Sequence, residues 1–238
     1  MNNTGDHEIA IDTLEENEKA YEYFCRRIIA LLDGNPRLDV EGLNCVHTIR
    51  FRKKSRASIK DKCERKEKKG IFINAENCHS EIEDYFGIRL LHLHFDQLPV
   101  IHSFLIEQAE KGDFIFGERP KAYTWDPEFK AILESLGFQV EFKESLYTSV
   151  HYILRNSDES PVRCELQVRT LFEEAWGELD HWMNYPVPTE KMALREQLLV
   201  LSRVVTAGSR LAVSIHRLQT AKMEDSPAMS GSSQTPPE

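Results

Sequence analysis

Two short stretches, YTSVH (147–151) and CELQVR (164–169), each set three polar side chains at every second position. Tyr147, Ser149 and His151 form one trio, and Glu165, Gln167 and Arg169 the other. Alternation with period two belongs to a half-buried strand, so each trio occupies one strand face. A polar turn, NSDESP (156–161), separates them. If the strands pair as a hairpin symmetric about Asp158, His151 faces Glu165, Ser149 faces Gln167 and Tyr147 faces Arg169. All six then share one face. An aromatic ring, a hydroxyl, an imidazole, a carboxylate and a guanidinium together suit a nucleotide: a surface to stack on, cations for phosphate and a carboxylate for a proton or a metal. A slip of one residue would separate the trios, and a plain solvent face is the competing reading.

A second cluster lies upstream. Residues 50–69, RFRKKSRASIKDKCERKEKK, hold eleven Lys and Arg against three acids, a local +8 in a chain whose total is −9. One basic stretch in an otherwise acidic protein suits a small polyanion better than broad coating of nucleic acid. Arg52 and Lys54 leave a strand on one face, Ser58 is placed to open a helix with Asp61 in the box position, and Lys62 lies one turn further on. No glycine-rich loop accompanies them, so this is a clamp of cations and not a Walker loop. In EDYFGIRLL (83–91), Asp84 precedes Gly87 and Arg89. Asp84 and Glu165 could hold a magnesium ion between them, although an Asp before a Gly is also ordinary turn chemistry.

The elements that must position these residues follow from periodicity. A helix is expected over about 14–33, with Leu14, Tyr21, Phe24, Ile28 and Leu31 on one face and Gly34 and Pro36 ending it. Strands are expected at 45–52, 87–95, 138–144, 147–155 and 164–169. Short helices are expected from Ser58, from Ser80, near 98–111 and near 127–136. Thr170 and Glu173 have capping-box spacing, so a helix carrying Phe172, Ala175, Trp176, Leu179, Trp182 and Met183 as its apolar stripe begins there. Glu174, Glu178 and His181 are assigned to its polar face, and Trp125, Trp176 and Trp182 to packing. A long helix fills about 190–221. The mixed order implies an α+β fold with a mostly antiparallel sheet.

The chain has 238 residues, of which 41% are apolar and 29% charged. That is enough for one large domain or two small ones with a substantial core. Five cysteines without a CxxC pair read as reduced and buried, not as a disulfide frame or a zinc site. No stretch is expected to reach the roughly 18 apolar residues of a membrane span, and the cytoplasm is the default location. The segments expected are 1–40 (helical), 41–187 (the site domain), 188–221 (a helix) and a disordered Ser/Pro-rich tail at 222–238.

RKKSRASIKDK (52–62), DYFGIR (84–89), YTSVH (147–151) and ELQVRTLFEEAWGELDH (165–181) resemble, in order, the motifs of the RelA/SpoT synthetase domain. The resemblance covers about residues 50–185. It implies a nucleotidyltransferase-like fold and transfer of pyrophosphate from ATP to a ribose 3′-hydroxyl, usually of GDP or GTP, with Mg2+. By the same resemblance, Arg52 and Arg89 would hold adenine, and Lys54, Ser58 and Lys62 the ATP phosphates. Asp84 and Glu165 would bind the metal, with Glu165 also the base. Lys143, Tyr147 and His151 would meet the acceptor, while Ser149, Gln167, Arg169 and His181 would support the site. The pattern departs at Ser145–Leu146, where the family usually has Asn-Gly. Some toxin members modify the 3′ end of tRNA and are restrained by an antitoxin, so a tRNA acceptor and an antitoxin partner stay open, as do a non-catalytic nucleotide sensor and a homo-oligomer built on the last helix.

Overall fold

The computed structural model describes residues 4–40, 42–185 and 187–224. The helix expected over 14–33 is two helices, α1 (Thr4–Glu16) and α2 (Glu18–Leu32), broken at Asn17. Leu14, Tyr21, Phe24 and Ile28 are buried as expected. Leu32 takes the place assigned to Leu31, and Gly34 turns the chain with φ of +64°. A two-strand ribbon, β1 (Asp39–Val40) and β2 (Leu43–Asn44), leads into β3 (Thr48–Lys53).

Helix α3 (Arg56–Glu67) begins one turn before the position expected. Ser55, not Ser58, is its N-cap, and the Ser55 hydroxyl accepts the Ser58 N–H. Ser55 has the extended backbone that a cap requires, which leaves Ser58 inside the first turn. The next helix, α4 (Cys78–Glu81), likewise precedes the Ser80 start expected for it. Then come β4 (Phe86–His92), α5 (Leu98–Glu110), β5 (Ile115–Phe116), β6 (Lys121–Thr124), α6 (Pro127–Ser135), β7 (Gln139–Phe142), β8 (Ser149–Arg155), β9 (Arg163–Thr170), α7 (Leu171–Asn184) and α8 (Met192–Glu224). The short strands β5 and β6 carry no clear alternation in the sequence. The last helix runs past 221, and the remainder of the expected tail, 225–238, lies outside the described residues.

Seven strands form one sheet in the order β3-β4-β9-β8-β6-β7, with β5 on β8. The β4/β9 and β6/β7 pairs are parallel and the others antiparallel, giving the mixed α+β architecture. One face is apolar: Ile88, Leu90, Val168, Leu166, Tyr152 and Leu154 are buried there. Helix α2 packs on β4 and β9 on that side, its Tyr21 stacked on Phe86. The other face is polar, and α7 leans on it.

The expected membrane-span limit needs correction. Helix α8 is long and apolar enough, by length and composition, to cross a bilayer, because between Gln197 and Ala221 its only charged residues are Arg203, Arg210 and Arg217, seven apart. Here it docks by its polar side. Arg210 pairs with Asp126 and Glu128, and Arg217 with Asp96, while Leu211, Ile215 and Leu218 face outward.

Candidate active site

The strand register brings the two trios together, though not in the pairing expected. His151 lies opposite Gln167, and Glu165 opposite Ile153. The difference is two residues, which keeps every side chain on its face, whereas a shift of one would have inverted it. Pairing across the sheet then extends the row. Arg50, Arg89, Gln167, His151 and Lys121 are successive neighbours, and so are Arg52, Gly87 and Glu165. Gly87 leaves the floor open between Arg52 and Glu165.

On this floor five side chains close a ring of hydrogen bonds. Glu165 Oε1 is 2.8 Å from His151 Nδ1, and His151 Nε2 is 3.2 Å from the Tyr147 hydroxyl. Arg169 Nη2 donates to that hydroxyl at 3.1 Å and to Gln167 Oε1 at 2.5 Å, and Gln167 Nε2 donates to Glu165 Oε2 at 2.7 Å. The Glu165–His151 contact is diagonal across the strands, within reach of long side chains. Ser149 is buried in the same floor, opposite Tyr123 of β6. Tyr123 was not foreseen; its ring meets His151 edge-on at 4.9 Å and carries the Lys143 ammonium at 4.4 Å. Lys143 thus sits beside Tyr147 and His151, paired with Glu141 at 3.3 Å. Burial raises the Tyr147 phenol, against the pull of Arg169, so it serves the ring as a neutral hydroxyl.

Glu165 is 18% exposed in its side chain. Burial pushes its carboxyl up, but the hydrogen bond and charge of His151 outweigh this, and the pKa falls below the usual value even with Asp84 nearby opposing. Asp84 sits between two ammonium groups, Lys54 Nζ at 2.5 Å and Lys62 Nζ at 2.6 Å. Burial would raise it, but Lys62 and Lys54 together hold it down at about 2. Both carboxylates are therefore ionised at neutral pH and repel one another. They are hard oxygen donors, the set that magnesium prefers.

Much of the basic segment proves structural. Arg56 is bound by Glu8, Asp12 and Glu15 of α1, Lys53 by Glu18, and Lys66 by Glu81. Lys54 and Lys62 stay on Asp84, and Arg52 is exposed with no ion-pair partner among the described residues. The acidic N-terminal helices thus absorb charge that the sequence shows only as a run.

Helix α7 starts at Thr170 with the complete capping box, Glu173 returning to the Thr170 N–H at 2.9 Å. Its polar face is not as expected. Glu174 is 5% exposed and draws Arg89 (2.7 Å), Arg50 (3.2 Å) and Arg169 (3.4 Å) around it. Arg89 also reaches Glu178 at 2.5 Å, so here it braces α7 against the sheet instead of presenting a free face for a base. The three arginines stand on the polar face of neighbouring strands, so α7 needs a buried countercharge. Of the apolar stripe, Trp176 is buried, its Nε1 donating to the Leu198 carbonyl, while Leu179 and Trp182 are exposed. His181 is exposed and stacks on Tyr185 at 4.7 Å; it does not touch the ring. The Tyr185 hydroxyl reaches Ser58 at 3.4 Å, which puts His181 beside the α3 terminus. Gly177 has a local reason: a Cβ there would lie 2.7 Å from Arg169 Nη1.

The loop before Tyr147 keeps a glycine-like backbone without the glycine. Leu146 has φ of +62°, in the left-handed region, and its carbonyl accepts the Ser202 hydroxyl of α8 at 3.1 Å. A cavity of about 380 Å3 lined by Arg37, Val100, Phe104 and Glu107 lies beside α5 and contains none of these residues.

A sequence profile described as "Region found in RelA / SpoT proteins" matches residues 51–190. No curated protein matches the sequence. Among solved structures, the small alarmone synthetase 1 from Bacillus subtilis aligns at a TM-score of 0.60 with 22% identity, covering 89% of this chain and 96% of that one. The same synthetase bound to its product pppGpp aligns at 0.59 with 22% identity, covering 87% and 95%. A GTP pyrophosphokinase family protein from Streptococcus pneumoniae aligns at 0.56 with 16% identity, covering 92% and 96%.

Proposed function

The chain belongs to the RelA/SpoT family, and from that premise we propose that it transfers pyrophosphate from ATP to the ribose 3′-hydroxyl of GDP or GTP, making guanosine tetra- or pentaphosphate. The observation that carries the reading is the polarity of one sheet face. Arg52, Lys54 and Lys62 gather at one end, Tyr147, His151, Tyr123 and Lys143 at the other, and the ionised Asp84 and Glu165 belong to the same face. Similar structures have been solved with pppGpp and with AMPCPP bound, which supports nucleotides as the substrates.

In this reading the acceptor's 3′-oxygen attacks the β-phosphorus of ATP, the bond from that phosphorus to the oxygen bridging to the α-phosphate breaks, and AMP leaves. The hydroxyl proton passes to Glu165, which His151 and Gln167 hold at both oxygens. Lys54 and Lys62 shift from Asp84 to the triphosphate, with Arg52 beside them, and neutralise the charge that develops. Asp84 and Glu165 would hold magnesium, which when bound offsets phosphate charge and lowers the pKa of the 3′-hydroxyl. Tyr147 and Tyr123 offer rings to the acceptor base, and Lys143 and His151 face its phosphates.

A second reading, pyrophosphate transfer to the 3′ end of tRNA, is favoured by one observation. Leu146 places a bulky side chain in the left-handed turn beside the acceptor rings. ATP labelled on its γ-phosphate, incubated with magnesium and with GDP, GTP or bulk tRNA, separates the two by thin-layer chromatography. A labelled guanosine product is expected. Label on tRNA alone would transfer the chain to the toxin class and point to an antitoxin partner. ATP binding without transfer to any acceptor would leave a sensing module.

A further inference from the structure

Away from that face, His94, Asp96 and His216 each bring a potential ligand atom within 4.8 Å of the others. His94 and Asp96 follow β4, and His216 comes from α8, more than a hundred residues later. The two imidazoles lie face to face, with centroids 4.1 Å apart and planes 30° from parallel. His94 is only 2% exposed, yet neither of its ring nitrogens has a hydrogen-bond partner among the described residues, and His216 Nδ1 is also buried without one. A neutral imidazole carries one donor and one lone pair, and leaving either buried and unpaired is costly. Simple packing of two rings leaves that cost unmet.

We propose that His94, Asp96 and His216 form a site for a divalent transition ion, zinc by preference, that staples α8 to the body of the protein. Two imidazole nitrogens and one carboxylate oxygen, with water as the fourth ligand, are a tetrahedral zinc set, unlike the all-oxygen pair Asp84 and Glu165. Ligand atoms in a tetrahedral zinc shell stand roughly 3.3 Å apart, given bonds of about 2 Å. Closing the cluster to that spacing takes a turn of the two imidazoles out of their face-to-face packing, so that their in-plane lone pairs converge on one point. Asp96 also accepts Arg217 Nε at 2.7 Å and Nη2 at 2.8 Å. A ligating carboxylate is ordinarily hydrogen-bonded in this way, so Arg217 can remain as the outer partner that orients it. The staple bears on the acceptor side as well, because the same helix holds the Leu146 carbonyl through Ser202.

The test is zinc chloride titrated into the full chain, stripped with a chelator, against a chromophoric competitor in excess magnesium. One zinc per chain and a higher melting temperature are expected, and a cobalt-loaded sample is expected to show the visible absorption of a tetrahedral site. His216→Ala and Asp96→Asn, both near the surface and checked for folding by circular dichroism, are each expected to weaken zinc binding by about tenfold or more. Asp84→Asn is expected to leave it unchanged. The proposal falls if the chain binds no zinc at micromolar concentration, if the His216 and Asp96 variants bind as well as the parent, or if Asp84→Asn is the variant that loses the ion.

Discussion

Glu165 is held at both oxygens, by His151 and by Gln167. Replacement by Gln keeps the shape and removes the charge and, in the proposed reaction, the base. Glu165→Gln is expected to lower transfer by roughly 10²–10⁴-fold, measured as initial rate with saturating substrates, while the melting temperature stays close to that of the parent. Asp84 makes a pH prediction. Its folded pKa, about 2, is depressed by Lys62 and Lys54 against the cost of burial. The stability it contributes is therefore fully present above the unfolded carboxyl value near pH 4 and is lost as pH falls through about 2. Asp84→Asn should cost roughly 2 kcal/mol at neutral pH, with the gap to the parent closing between about pH 4 and 2 in denaturant titrations. Leu146 pays a left-handed backbone cost of about 1–2 kcal/mol that glycine would not. Offset by glycine's greater freedom in the unfolded chain, Leu146→Gly is expected to stabilise by about 0.5–1 kcal/mol in urea unfolding.

Helix α7 shows how an element can be recognised in sequence while its orientation is not. The capping box fixes its start, since Thr170 and Glu173 satisfy each other's backbone N–H groups wherever the helix lies. Which side is buried depends on what the sheet presents. Arg50, Arg89 and Arg169 stand together only because β3, β4 and β9 are neighbours, and they pull Glu174 inward while Leu179 and Trp182 face out. Glu174→Gln leaves buried guanidinium groups, Arg169 above all, without countercharge. It is expected to destabilise by about 3 kcal/mol in chemical denaturation and to loosen the hydrogen-bonded ring through Arg169.

The whole molecule has an uneven surface. The acidic helices α1 and α2 take up much of the basic segment, while Lys54 and Lys62 stay on Asp84 and Arg52 is exposed. Helix α8 docks through Arg210, Arg217 and Ser202 and leaves Val200, Val204, Leu211, Ile215 and Leu218 exposed. Positions 204, 211 and 218 recur every seven residues, the spacing of a seam that pairs with its own copy. Light scattering is expected to give a mass larger than one chain, and Leu211→Glu to shift it toward the monomer. A monomer at micromolar concentration in the parent would rule out this assembly.

The sequence by itself determined the period-two trios, the start of α7, the extent of α5, α6 and most of α8, and which side chains share the polar floor. All of these depend on local periodicity, capping chemistry or the parity of a strand, and parity survives a register error of two. Only the tertiary structure decided that Ser55 caps α3, that β6 brings Tyr123 to the site, that Glu174 is buried among arginines and that His181 stands outside the ring. The physical reasons are two. Cap geometry depends on the backbone at the chain's turn, and the partner of a charge or a ring is chosen by strand order across the sheet, a long-range relation that neighbouring residues do not encode.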